Sequence, residues 1–258
     1  MLSRRTGIAV LAGVTIAIFA GALVASRVAQ PVAYHNFADQ RAWLGIPNFG
    51  DVASNAGFAI AGIWGLLVLL GQPSRVVFVD AREPWLYVIA FAGMILVALG
   101  SGYYHLAPDN ERLVWDRLPM TIVFMSLVAA MFAERISVRA GLAALPVLLV
   151  LGVGSVWQWH WSEVRGAGDL RVYAAVQAYA VVSLLVILLL PPRYTRRGDL
   201  LVVVGFYVLA KLLETFDQTI FSAGHIVSGH TLKHLAAAAA GWWILRMLER
   251  RRPVNEAG

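Results

Sequence analysis

Eight apolar runs of near-bilayer length, at about 7–28, 52–71, 85–105, 117–133, 140–157, 172–190, 200–217 and 228–248, take up most of this chain of 258 residues. A helix needs about 20 apolar residues to cross the hydrocarbon core of a bilayer, so each run predicts a transmembrane helix. Composition agrees: 59% of residues are hydrophobic and 14% charged, and the mean hydropathy is +0.69. Such a chain is too apolar for a soluble domain of this length. Gly71-Gln72-Pro73, Pro84, Pro108 and Pro191-Pro192 punctuate the joins, and the connecting loops are short. The expected architecture is an all-α, polytopic transmembrane helical bundle in one domain, without a linker or internal repeat.

The first run asks for its own decision, because Ser3-Arg4-Arg5 before an apolar stretch also fits a secretory signal peptide. The stretch Gly7 to Ala25 is longer than the usual signal-peptide core of about 7 to 15 residues, and the small residues after it make a poor cleavage site. A retained N-terminal transmembrane anchor over 1–30 is therefore expected, with cleavage as the alternative. A seven-helix core over 31–250 and a cytoplasmic tail over 251–258 complete the expected organisation.

Positive charge sets the orientation, since Lys and Arg prefer cytoplasmic loops. With the N-terminus inside and all eight runs spanning, thirteen arginines fall inside and six outside; Lys211 and Lys233, within or beside helices, complete the 21 basic residues. Both termini are expected in the cytoplasm. The net charge of +6 then reads as an orientation signal and an attraction to anionic membrane lipid, and no nucleic-acid partner is indicated. The low content of charged residues, the Arg-rich loops and an N-terminus that also fits a cleavable signal point to a bacterial inner membrane. Protein partners leave no signal.

The chain has no cysteine, which removes disulfides and thiolate metal ligands together. Any zinc must be held by histidine and carboxylate. A shell of three such ligands with an open position is the catalytic type, in which bound water becomes acidic near neutral pH. His230 and His234 stand one turn apart at the start of the last run, and Ser101 and His105 have the same spacing at the end of the third. Residues at i and i+4 share a helix face, and a His pair at that spacing binds one metal in the metalloprotease helix. No Glu lies between them here, so the base must come from elsewhere. Asp116, just outside the fourth run, is the candidate. By helix parity all of these residues sit at the same, external membrane level.

This arrangement resembles the alkaline ceramidase family, part of a wider group of seven-helix membrane hydrolases that includes the progestin and adiponectin receptors. The resemblance rests on Asp51-Val52-Ala53-Ser54-Asn55, Gly100-Ser101-Gly102-Tyr103-Tyr104-His105, Trp115-Asp116-Arg117-Leu118-Pro119-Met120 and His230-x-x-x-His234, and covers about residues 44–248. It implies that His105, His230 and His234 bind zinc and that Asp116 orients or deprotonates the attacking water. Ser101 would assist at the substrate carbonyl. The implied reaction is hydrolysis of the amide of a ceramide-like lipid to a fatty acid and a sphingoid base. The family's acidic calcium-binding stretch has no full counterpart: the region Asp39 to Phe49 offers one acid and one Arg, whereas calcium takes six to eight oxygens. A calcium site is therefore not expected; Asp39, Asn48 and Asp51 are the residues that would form a weak one.

Each of these residues also has a plainer reading. Asp116 would equally pair with Arg112 or Arg117, or cap its helix. Ser101 would serve as a small residue for close helix packing. Ser54 and Asn55 read as bonds between helices that support the site. Lys211, Glu214 and Asp217 read as one cluster on one helix, with Lys211 and Glu214 as a buried pair and Asp217 as outer support for the metal. His35, His160 and His225 read as packing residues, and the tryptophans as interfacial belts. Two other functions stay open: a receptor or transporter with a structural metal, and a b-type cytochrome. The latter needs ligands on opposite haem faces, which one i, i+4 pair does not supply.

Overall fold

The computed structural model describes residues 1–254 and is all-helical, leaving 255–258 of the expected tail outside the described residues. In chain order the helices are α1 (Arg4–Val24), α2 (Phe49–Ser54), α3 (Ala56–Leu66) with a π-helical turn after it (Leu67–Gly71), α4 (Pro84–Leu106) and α5 (Asn110–Arg135). They continue with α6 (Val138–Val164), α7 (Arg171–Ile187), α8 (Gly198–Thr215), α9 (Asp217–Ser222) and α10 (Gly229–Arg250). Five spans are long and apolar enough to cross a membrane: α1, the column from Phe49 to Gly71, α4, α5 and α6. Helix α7 is shorter, at 17 residues. Helices α8 and α10 carry Lys211, Glu214 and Lys233 within their apolar runs, charges that belong to the candidate site.

The outer faces of these helices are apolar. Ile16, Ile60, Leu99, Val147, Val150 and Leu201 are all exposed, the pattern of side chains that face lipid rather than water. Inside, Met125, Ala129, Leu245 and Leu248 form part of one continuous core. Long apolar helices with such faces fit a membrane protein.

The two ends of the bundle differ. At one end Leu2 N donates to Leu189 O (2.7 Å), Thr195 N to Arg252 O (2.8 Å) and Val254 N to Arg193 O (2.9 Å), so both ends of the described chain meet the α7–α8 loop. The expected tail does not start as a free segment at 251. Arg251 is buried, paired with Glu134 and stacked 4.0 Å from the Tyr194 ring centroid, because a charge taken out of water is held by an opposite one. The other end is crossed by the loop between α1 and α2 and holds the candidate site. Helix α1 lies along α7, with Gly7 against Leu190 and the Phe19 and Tyr179 rings 6.0 Å apart.

Two boundaries differ from expectation in ways that matter for the site. Helix α5 starts at Asn110, where the Asp109 carboxylate accepts from Arg112 N (2.7 Å) as an N-cap. Asp116 therefore lies inside the helix and does not cap it. Helix α8 ends at Thr215 because Phe216 leaves helical geometry (φ −98°, ψ 22°). Asp217 thus opens α9 and does not continue the face of Lys211 and Glu214.

Candidate metal centre and adjoining cavity

Ser101 and Asp116 are brought together by a close approach of α4 to α5. Pro119 lacks an N–H, so the Trp115 carbonyl four residues before it loses its helical partner. Gly100 packs onto that carbonyl, and a Cβ at Gly100 would overlap Trp115 O. The next residue on α4 is Ser101 and the next on α5 is Asp116, and both line the same cavity.

The start of α10 is tied down from three sides. Ser228 caps it, accepting from Thr231 N (3.0 Å). Asp51 Oδ1 on α2 accepts from Ser228 Oγ (3.2 Å) and Thr231 Oγ1 (2.7 Å). Asp217 accepts from His230 N (2.8 Å) through Oδ1 and from Ala38 N (2.9 Å) through Oδ2. Gly229 has no room for a side chain, since a Cβ would overlap the Leu213 carbonyl. These contacts set the depth and rotation at which His230 and His234 enter the bundle.

There the three histidines converge. His105, His230 and His234 are buried, and each offers a ring nitrogen within 4.8 Å of the other two. His105 Nε2 and His230 Nε2 are 3.3 Å apart, and two nitrogens bound at about 2.0–2.1 Å to one tetrahedral zinc lie about 3.3 Å apart. His234 Nδ1 is 2.9 Å from Ser54 Oγ, which leaves its Nε2 for the centre of the group. A hydrogen-bond partner on the far nitrogen is the usual support of a metal-bound imidazole. His105 Nδ1 is buried without a partner, while Asn48 Nδ2 donates to the His105 carbonyl (2.8 Å). The residues fit a metal ion.

Several predicted site residues fall elsewhere. Asp217 supports the His230 backbone and not its ring, so its role is to dock the helix. Asn55 donates to Asp51 O (2.7 Å) and makes no hydrogen bond to a histidine side chain. Of the three residues named for a weak calcium site, Asp39 is bonded by Arg41 (2.8 and 2.7 Å) and Asn48 bonds the His105 carbonyl, while Asp51 is bonded by the two hydroxyls through Oδ1 and its Oδ2 is buried without a partner. The Arg41 guanidinium holds the Asp39 carboxyl below the usual carboxylate range. Lys211 and Glu214 do pair, but Lys211 is exposed; the inner partner of Glu214 is Lys233 (2.8 Å), whose Nζ also lies 3.1 Å from His230 Nε2. His35 bonds Tyr104 and Asn110, and His35, His160 and His225 stay outside the cluster.

Sequence reasoning missed Phe37, whose ring lies 4.6 Å from that of His105 and 4.4 Å from that of His230. It closes the histidine group from the loop side, and nothing in the local sequence marks it. Lys233 was visible between the paired histidines, but its bond to Glu214 depends on the packing of α8 against α10.

A cavity of about 380 Å³ adjoins the centre, within the usual range for small-molecule sites of about 300–1,000 Å³. Ser101, Asp116 and His234 line its polar part, and Phe58, Met94, Val123 and Ile244 its apolar part. A second, almost wholly apolar cavity of about 90 Å³ shares Phe124, Leu127 and Ile244 with it and continues to Met131 and Met247.

No family model and no curated protein sequence matches this chain.

Ser54→Ala is expected to weaken metal binding by roughly 10- to 100-fold, the usual cost of removing an outer partner of a ligating histidine. Metal titration of the purified variant checks this. Affinity equal to that of the parent chain would mean that Ser54 only packs α2 against α10.

Proposed function

We propose that this protein is a zinc-dependent membrane hydrolase that cleaves the amide bond of a ceramide-like N-acyl lipid to a fatty acid and an amine. One observation carries the reading: His234 of the three-histidine group lines, together with Ser101 and Asp116, a cavity whose remaining wall is largely apolar and is shared in part with a second, apolar cavity. A polar reaction centre at the head of an apolar channel suits a substrate with one polar bond and long hydrocarbon chains.

His105, His230 and His234 hold the ion. Bound there, zinc would polarise the amide carbonyl and acidify water. Asp116 accepts a proton from the attacking water at its carboxylate and returns it to the leaving nitrogen, as a general base and then a general acid. The Ser101 hydroxyl donates to the carbonyl oxygen as negative charge grows on it. The apolar walls take the acyl chain and keep bulk water from the polar part.

The same reading places both termini in the cytoplasm and the site toward the exoplasmic or periplasmic side, in a bacterial inner membrane. Its support is the excess of arginine at the end where both ends of the described chain meet. A haem reading is disfavoured because the three imidazoles touch one another, with centroids 4.8–5.0 Å apart. No slot for a flat macrocycle is left between them.

The test is a screen of ceramide, phytoceramide and other N-acyl lipids with the purified zinc-loaded protein, reading free fatty acid and amine by mass spectrometry. Both products from at least one lipid are expected. Stable substrates throughout, with a full complement of metal, would return the protein to the receptor reading.

A further inference from the structure

The cavity has a second polar feature that hydrolysis does not use. Arg117, the residue after Asp116, lines it beside Tyr34 and Tyr173 and is 95% buried, with a relative exposure of 5%. Its Nη2 donates to Gln30 Oε1 (2.6 Å), and its guanidinium lies over the rings of Trp159 (4.2 Å), Tyr173 (4.6 Å) and Tyr34 (5.6 Å). Nη1 is buried and has no partner. Among the described residues no carboxylate comes within ion-pair distance of this guanidinium. Asp116 is adjacent in sequence, but neighbouring helix residues do not face each other, and the two form no ion pair.

A buried charge without an opposite charge is costly, and aromatic faces offset that cost only in part. The other charged groups on the cavity wall do not supply the missing partner. Lys211, Glu214 and Lys233 form their own group, so that three cations and two carboxylates line the space. The balance is positive before any metal is added. A planar guanidinium is the usual receptor for a phosphate or carboxylate, and here stacking holds it with its buried Nη1 unpaired.

We propose that Arg117 binds an anionic group on the polar end of the lipid, so that the substrate class is an N-acyl lipid carrying a phosphate or carboxylate. This rests on reading the cavity as a lipid site, as above, but not on cleavage taking place. Asp116 and Arg117 then divide the work along one turn of α5. The first serves the bond to be broken, and the second holds the charge that fixes which end of the lipid enters.

The test is equilibrium binding, with the zinc-loaded protein in nanodiscs, of three non-cleavable lipids in which CH₂ replaces the amide NH. They differ only in the headgroup: a hydroxyl, a phosphate or a carboxymethyl ether. Charge-assisted hydrogen bonds predict that at least one charged probe binds roughly tenfold or more tighter than the hydroxyl probe, and the tighter of the two identifies the anion. Arg117→Gln is expected to abolish that advantage and Arg117→Lys to retain part of it. Equal affinity of the parent chain for all three probes overturns the proposal whether or not the variants fold. So does a charge preference that survives Arg117→Gln. Failure to cleave any amide leaves these results unchanged, so the two readings fail separately.

Discussion

His105→Ala, His230→Ala and His234→Ala will each lose the metal and, with it, nearly all hydrolysis. Every one of these rings contributes a nitrogen to a group whose members lie within 4.8 Å of one another, so no pair of them completes a three-ligand shell. The loss of affinity is expected to exceed the roughly 10- to 100-fold cost of deleting an outer partner. A metal that binds only the folded chain also stabilises it by mass action. Zinc should therefore raise the melting temperature of the parent chain and not of the variants. His160→Ala serves as a control, because His160 sits beside Trp157 and Trp159 and outside the cluster. Elemental analysis and thermal melts with and without zinc give the readout. Full metal in all three variants would remove the centre from the account.

Asp116→Asn is the second large effect, and it separates chemistry from metal binding. The substitution keeps the shape of the side chain and its place beside Ser101 but removes the proton acceptor. General acid–base catalysis is worth about 100- to 10,000-fold, so turnover should fall by that factor while zinc content and the melting temperature stay close to those of the parent chain. The structure sharpens this test, because the plainer roles of Asp116 are taken by other residues. Asp109 caps α5 and pairs with Arg112 at 3.9 Å, and Arg117 bonds Gln30. Turnover within a few-fold of the parent chain would leave Asp116 as a buried polar residue of α5 and move the base elsewhere.

The two i, i+4 pairs were legible because helical periodicity alone decides them, while joining His105 to the other two histidines took the shared membrane level and the family resemblance. Positions i and i+4 share a face whatever the tertiary packing, so Ser101 with His105, and His230 with His234, needed only the helices to exist. Apolar runs located those helices, but they locate only the apolar part. Asn110-Glu111-Arg112 is the polar first turn of α5, and hydropathy reads it as loop although Asp109 supplies a cap. The break at Phe216 was hidden for another reason: neither Gly nor Pro marks it, and the continuing apolar pattern runs straight across. Contacts between elements were beyond reach of the sequence. Phe37 over the imidazoles, Lys233 with Glu214 and Ser54 against His234 all depend on how loop and helices meet. Arg41, two residues after Asp39, was a visible cue that this carboxylate already had a cation.

The most direct measurement of the central claim is fatty-acid release from an N-acyl lipid by one purified preparation in three states: as isolated, stripped by a chelator, and reloaded with zinc. The account predicts that stripping abolishes release and that about one zinc per chain restores it. Release that continues unchanged in the stripped protein, with metal analysis showing none bound, would contradict it.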